Sequence, residues 1–559
     1  MPRFPNELPV TVAFATSVPA ALAATHDRPI AVVVPDRTDW NDFSRRFHAQ
    51  LTVVLEGEER TAFRMRLMFE ARDRTLDLIE ELLDGAPAMQ APPQPARASV
   101  LEASDDYGRL VDLLGLRRAV SLLRTLGDAA LAHSERIDPA LITLIATEAF
   151  HEGALREPPT WEAFRNGARH LREGREADPE DAAHGFTMGV RLEGLPQPYA
   201  FQLTFAAAAE LRGRACVLVG RNGTGKTRLM DSIVNGLLDQ PDPERPTAGF
   251  DPPPRIARLV VLSSVATDPY PRELPCWLGL DYRYHSVIGD VSGTDAFGLA
   301  LADCLRDDQH AGPLAAAGGR MAVLREALGP LRIRDELYVR IGPPGDGKEN
   351  LHYVTEIDGE RHAPILGVGG EQRKIDLVAR MIAGAPPVVV IGGRVRALSS
   401  GETALLRFAA QAAASVIPAS MLILDEPETH LHPNYISLLM AILDRILVST
   451  RSVAIIATHS AYIEREVPTR RVRVLRRGEE EVSAEHPRLR TFGGSVDSIS
   501  QFVFDDAQED LPHLELLRAW VDEQPADLTA EVALERLGRE IAPAAMAYVA
   551  RIIRDRVAG

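Results

Sequence analysis

The chain has 559 residues, with 62 Lys+Arg against 79 Asp+Glu and a formal net charge of −17. At one domain per about 100–200 residues, this length predicts about three units and a sizeable core. Hydrophobic residues at 45% and charged residues at 25% exclude a disordered or fibrous chain. The acidic balance excludes a protein that coats nucleic acid by bulk charge, so any DNA contact needs a local basic patch.

Cys216, Cys276 and Cys304 are scattered and odd in number, which gives no disulfide framework and no zinc spacing and suits a reducing cytoplasm. No apolar run reaches the ~18–20 residues of a membrane span, so no membrane partner is expected. Residues 13–24 end in small residues like a signal-peptide core. The segment before them carries only Arg3, opposed by Glu7, and Thr16, Ser17 and Pro19 interrupt the stretch, which argues against secretion.

In chain order, residues 1–85 read as a small α/β unit, with strands at 10–15 and 30–34 and a long amphipathic helix over 58–84. Four prolines within 85–95 predict a linker. Residues 99–184 carry helical apolar spacing (Leu110, Leu113, Leu114, then Val120, Leu122, Leu123). Strand-like pieces at 186–192 and 199–205 open a larger domain over 185–482, with an inserted segment at about 269–387 and a proline-rich loop at 240–254. Residues 206–209 are the one low-complexity feature; 483–559 read as a C-terminal helical extension, helical from Leu514.

Residues 215–227 read ACVLVGRNGTGKT, an apolar strand running into GxxxxGKT and then a helix. Gly220, Arg221, Asn222, Gly223, Thr224 and Gly225 would curl backbone N–H groups around a phosphate while the helix points its positive end at it. Lys226 would reach the β- and γ-phosphates, and the Thr227 hydroxyl would ligate Mg2+. Residues 421–427 read MLILDEP, a buried strand ending in two carboxylates. Asp425 is then placed for the Mg2+ shell and Glu426 for the attacking water, as general base.

Leu398 is followed by Ser399, Ser400, Gly401 and Glu402 at the start of an apolar helix, 404–413. The two serines and the Gly401 amide make a second anion site, or an ordinary N-cap completed by Glu402. Strand 453–458 ends at His459, near the same sheet edge as the Asp-Glu pair.

The order of P-loop, LSSGE, LILDEP and ATHS resembles the ABC-type ATPases, most closely the RecF/SMC-like "AAA family" ATPases of bacterial antiviral defence that carry DEPExHLHP, present here at 425–433. Relatives in that group include the Septu and retron-associated ATPases, the overcoming-lysogenization-defect nucleases and the RecF repair protein. The resemblance covers about 186–482 and implies an α/β fold: an ABC-type P-loop NTPase domain bound to ATP and Mg2+. It further implies that Ser399, Ser400 and Gly401 bind the γ-phosphate held by a partner protomer, that His459 is the switch histidine, and that two ATP molecules are sandwiched in a head-to-tail dimer. The implied role is the ATPase component of an antiviral system acting with a separate effector such as a nuclease; a RecF/SMC-like DNA-repair ATPase and a transporter ATP-binding subunit are the alternatives.

The chain departs from the pattern in places. The strand expected to deliver a Q-loop glutamine reads RLVVLSSVATD at 258–268, without glutamine. His430 and His432 are too few for a metal site of three or four ligands. Roughly 170 residues separate the P-loop from LSSGE, too few and too broken by Pro and Gly for long heptad arms. The ~100 residues after His459 are short for an appended nuclease domain, so Asp505, Asp506, Glu509 and Asp510 read as an exposed acidic loop. Arg470, Arg471, Arg473, Arg476 and Arg477 form the best basic run, read as a solvated strand face opposite Val472 and Val474 and flanked by Glu479–Glu481 rather than as a DNA contact.

Overall fold

The computed structural model describes residues 10–37, 45–57, 59–135, 138–172, 185–190, 199–205, 213–238, 246–265, 267–272, 274, 279–287, 296–307, 314–344, 352–429, 431–477, 482–503, 512–525, 527–538 and 540–558. Arg3, Glu7, residues 206–209, Cys276, His430, Glu479–Glu481 and the 505–510 acidic cluster lie outside them. Two compact units divide the chain at His486 and Pro487.

The first unit begins with a six-stranded sheet, ordered Ala88–Gln90, Thr11–Ala15, Ile30–Pro35, His48–Val54, Arg60–Phe69, Arg97–Leu101. Side chains alternate faces with period 2, and both faces are covered. Ala31, Val33, Leu51, Val53, Phe63 and Met65 join a large core with the helices between Ser104 and Asn166. Ile30, Val32 and Val54 join a smaller one on the opposite face. The stretch 13–24 completes the first strand and forms helix Val18–Ala24, whose N-cap Ser17 accepts from the Ala20 N–H.

Two local expectations change here. In place of a long helix over 58–84 there is strand Arg60–Phe69 and then a short helix, Thr75–Leu83. Phe63, Met65 and Leu67 alternate with Arg64 and Arg66, a period of 2 that the arginine-rich composition obscures. The proline-rich segment is not a bare linker. Ala88–Gln90 pairs antiparallel with Thr11–Ala15 and forms the edge of the sheet before Pro92, Pro93 and Pro95 are reached, an edge place where nearby proline is tolerated. The chain then returns as Arg97–Leu101 to pair with Arg60–Phe69, so the helices from Ser104 onward share the core of the strands before the prolines.

The second sheet has seven strands, ordered Asp281–Ser286, Arg258–Ser263, Ser420–Asp425, Val453–Thr458, Ala215–Val219, Val472–Arg477, Val482–Glu485. All pairings are parallel except the last, a hairpin. Its interior strands are buried on both faces, which is why they read as continuous apolar runs rather than alternating ones. The register aligns Ser263 with Asp425 and Asp425 with Ala457, so the carboxyl ends of four neighbouring strands meet at one edge, where open α/β sheets hold ligands. A three-stranded antiparallel sheet, Ala248–Asp251, Phe186–Val190, Tyr199–Leu203, contributes to the same core.

The inserted segment supplies helices Ala296–Arg306, Arg320–Ala327 and Glu371–Arg380 and three strands of a five-stranded antiparallel sheet, which Val388–Ile391 and Arg394–Ala397 beyond it complete. The sheet's last strand, Arg394–Ala397, leads into helix Ser400–Ser415. The second unit, 487–559, is helical: Val496–Val503, Pro512–Asp522, Ala530–Leu537 and Pro543–Ala558, with Val521, Leu528, Ala533, Val549 and Ile553 at its centre. Among the described residues no helix is long and apolar enough to cross a membrane.

Candidate functional site

The P-loop follows the buried strand Ala215–Val219. Gly220 has no room for a side chain, since a Cβ would lie 2.8 Å from the Leu475 carbonyl oxygen. Gly223 and Gly225 have φ of 81° and 94°, values that L side chains avoid. Between them the Thr224 hydroxyl donates to the Arg221 carbonyl at 2.9 Å. Arg221, Asn222 and Gly223 are exposed. Lys226 opens helix Lys226–Leu238 and is 6% exposed. Its Nζ donates to the Gly220 carbonyl at 3.0 Å and the Arg221 carbonyl at 3.3 Å, and lies 3.2 Å from Glu426 Oε1.

Asp425 ends strand Ser420–Asp425 and is 0% exposed. The Tyr270 hydroxyl donates to its Oδ2 at 2.8 Å, and the Thr227 hydroxyl also hydrogen-bonds this carboxylate. Burial lifts its carboxyl to about 6. Oδ1 is buried without a hydrogen-bond partner. A buried carboxylate oxygen left open beside a threonine hydroxyl is a donor set for a hard cation such as Mg2+.

Glu426 turns out of the strand with φ 49°, a left-handed conformation that costs a non-glycine residue about 1–3 kcal/mol. Its N–H donates to the Ala457 carbonyl at 2.9 Å, which fixes the turn against the neighbouring strand. That strand, Val453–Thr458, lies between the P-loop strand and the Asp425 strand, so His459 emerges between Lys226 and Glu426. The His459 Nδ1 hydrogen-bonds Glu426 Oε2. Burial opposes ionisation of Glu426, but this bond and the Lys226 charge outweigh it and hold the carboxyl below its ordinary value. The same hydrogen bond, against desolvation, raises His459.

Glu428 completes the cluster, and the sequence gives no signal that sets it apart within residues 425–433. Its Oε1 accepts from the Thr458 hydroxyl and, at 3.3 Å, from the His459 N–H. Burial first, then the charge of Glu426, raises its carboxyl to about 7, and its Oε2 is buried without a hydrogen-bond partner. Glu426, Glu428 and His459 have ligand atoms within 4.8 Å of one another. Lys226 Nζ lies beside them, 3.2 Å from Glu426 Oε1.

Ser399 is the N-cap of helix Ser400–Ser415 and forms a capping box with Glu402. Arg396 grips Glu402 through two hydrogen bonds of 3.0 Å, and this pairing holds the Glu402 carboxyl down at about 2. Gly401 abuts Tyr435, whose ring a Cβ there would approach to 2.7 Å. The cap reading of these residues therefore holds: the Glu402 and Thr403 N–H groups donate to Ser399, and Gly401 is buried. His432 is a cap as well, accepting from the Asn434 N–H at 3.4 Å.

The basic run corrects one expectation: Arg471 and Arg473 are 1% and 5% exposed. Strand Val472–Arg477 pairs on both sides, with Ala215–Val219 and Val482–Glu485, so there is no solvated edge. Arg473 spends its guanidinium on the Arg470 and Val472 carbonyls and His486.

A domain profile described as "AAA domain, putative AbiEii toxin, Type IV TA system" matches residues 392–465, which hold the Ser399 helix, Asp425, Glu426 and His459. The chain is 34% identical over 107 residues to protein ea59 of Escherichia phage lambda, 19% of this chain and 20% of that protein. It is 29% identical over 182 residues to erythronolide synthase EryA3 of Saccharopolyspora erythraea, 32% of this chain and 6% of that one. The chain thus spans a fifth or less of the length of these relatives. Among solved structures it is similar to the SMC head domain from Thermotoga maritima (12% identity, 55% of this chain and all of that one, TM-score 0.27). It is also similar to UvrA2 from Deinococcus radiodurans (18% identity, 56% and 38%, TM-score 0.27). The matched profile is that of an AAA domain over residues 392–465, and the P-loop strand lies in the same parallel α/β sheet as the Asp425 and His459 strands.

Proposed function

We propose that the chain hydrolyses ATP in a Mg2+-dependent manner and works as a head-to-tail dimer. The observation that carries hydrolysis is the convergence of Lys226, Glu426 and His459 at the end of the P-loop strand. Gly220–Gly225 amides and Lys226 would hold the phosphates, and Thr227 and Asp425 would hold the cation. The bound Mg2+ would neutralise charge developing on the phosphate oxygens. Glu426, kept ionised by His459 and Lys226, accepts the proton of the attacking water. His459 holds Glu426 Oε2 in place, and Glu428 holds His459 through its backbone N–H.

The dimer reading is supported by the LSSGE text at the start of helix Ser400–Ser415, whose positive end would suit a second anion for which one nucleotide per chain has no use. A role in antiviral defence beside a separate effector, in the cytoplasm, is supported by the DEPExHLHP text. It is also supported by the matched profile, whose description names a toxin of a toxin–antitoxin system. The test is phosphate release by the purified chain with ATP and Mg2+: hydrolysis lost in Glu426→Gln with ATP binding retained supports the reading, and no ATP binding by the wild-type chain overturns it.

A further inference from the structure

The absent Q-loop glutamine raises the question of what answers to the cation site on this side of the sheet. The strand Arg258–Ser263 runs beside Asp425, and the Ser264 N–H donates to the Asp425 carbonyl at 3.2 Å. Six residues further on, Tyr270 comes back and donates to Asp425 Oδ2; Tyr270 is 3% exposed. This leaves Oδ1 as the open atom of the carboxylate. Tyr270 therefore sets which oxygen faces the cation.

The segment that carries Tyr270 is held from one face of the sheet's end strand, Asp281–Ser286. Tyr282 donates to the Pro271 carbonyl at 2.7 Å, and Tyr284 to Asp268 Oδ2 at 2.7 Å. Arg272 lies 3.4 Å from Asp268 Oδ1 and stacks 4.1 Å over the Tyr284 ring. Side chains on a strand alternate faces, so Arg283, between the two tyrosines, points the other way. There it donates to the Arg165 carbonyl at 3.1 Å, at the end of helix Pro158–Asn166 of the N-terminal region. On that face Asp281 also pairs with Arg258, whose guanidinium reaches Asn166 Oδ1 at 3.3 Å. One strand thus touches the cation-site loop with its tyrosines and the N-terminal helix with its arginine.

We propose that Tyr270 is a positioning residue for Asp425, and that residues 268–272 with strand Asp281–Ser286 relay occupancy of the cation site to the N-terminal α/β region. The proposal rests on the ATPase reading above. A contiguous set of packed and hydrogen-bonded groups is a candidate coupling route, and only a response at the far end demonstrates it.

The experiment uses the full chain carrying Glu426→Gln, so that ATP stays intact. Hydrogen exchange is read over Pro158–Asn166 with ATP alone and with ATP plus MgCl2, and Mg2+ half-saturation is read from equilibrium ATP binding. The relay predicts a Mg2+-dependent change in exchange over this helix. Tyr270→Phe should abolish that change and raise the Mg2+ half-saturation about 3–10-fold, as expected for losing one hydrogen bond to a carboxylate, with Mg2+-free ATP binding kept. Tyr284→Phe should abolish the change while leaving half-saturation in place, which a general loss of folding would not do. A helix that does not respond to Mg·ATP, or a response that survives both substitutions, overturns the relay. An unchanged half-saturation in Tyr270→Phe overturns the positioning role. A wild-type chain that binds no ATP overturns the ATPase reading and the relay together.

Discussion

Lys226 Nζ lies 3.2 Å from Glu426 Oε1, so the lysine that would grip phosphate and the carboxylate that would take up the water proton are ion-paired across the P-loop. Lys226 is also tied to two P-loop carbonyls, which pre-places its charge and limits the reorganisation that phosphate binding requires. The two residues separate in experiment. Glu426→Gln keeps a neutral side chain of the same shape and should lower kcat about 10²–10⁴-fold with nucleotide affinity near wild type. Lys226→Ala should instead weaken ATP binding itself. Steady-state phosphate release together with equilibrium ATP titration checks both; turnover retained in Glu426→Gln removes that residue as the base.

Glu428 makes a different prediction, because it acts through hydrogen bonds rather than charge. Its oxygen receives the Thr458 hydroxyl and the His459 N–H. Glu428→Gln retains an acceptor for those groups and should keep kcat within about threefold. Glu428→Ala leaves buried donors unpaired, at a cost of about 1–3 kcal/mol, and should lower kcat about 10–100-fold at nearly constant ATP affinity. Equal losses in the two variants would show that an ionised Glu428 is required and would sink the positioning role.

The parts of the site legible in the sequence are those where one segment supplies both the element and its chemistry. The P-loop, the Asp425 strand and the His459 strand are buried parallel strands, and a continuous apolar run followed by Gly, Asp or His marks each end. Tyr270 was not legible: it reaches Asp425 from a loop 155 residues away in sequence, and no spacing rule connects them. Glu428 stood inside the recognised text, but its role depends on the neighbouring strand that brings Thr458 alongside. The N-terminal region shows the converse: the charged, arginine-rich composition of strand Arg60–Phe69 suggests a helix although Phe63, Met65 and Leu67 alternate. Arg471 and Arg473 misled for a related reason, since burial of a strand face is set by which strands flank it.

The dimer reading predicts complementation between two dead chains. Ser400→Glu places a carboxylate at the helix start that would face a partner's γ-phosphate, and Lys226→Ala disables the P-loop. In a head-to-tail dimer of the two, one composite site carries both lesions and the other carries neither. An equal mixture should recover roughly a quarter of wild-type turnover, because half of randomly assorted dimers are mixed and each has one intact site of two. Phosphate release by the mixture, under conditions where mixed dimers are detected, decides the matter; no recovery there would mean that each site is completed within one chain.

Glu464 offers a test outside the catalytic group. It ends the short helix that follows His459, is 0% exposed, and neither carboxyl oxygen has a hydrogen-bond partner. Burial raises its carboxyl from the ordinary 4.5 to about 8. The native chain therefore keeps a proton at Glu464 that the unfolded chain releases above about pH 4.5. Where the native state binds more protons than the unfolded state, stability falls as pH rises, so this group should erode stability across the window from about 4.5 to 8. Glu464→Gln removes the titration while keeping the size. Its thermal midpoint should match wild type near pH 5 and exceed it by a few degrees at pH 9, each pKa unit being worth about 1.4 kcal/mol at most. Because other acids titrate alike in both chains, the difference between the two midpoints isolates Glu464, and a difference that stays constant with pH would mean that this carboxyl is ionised in the native chain.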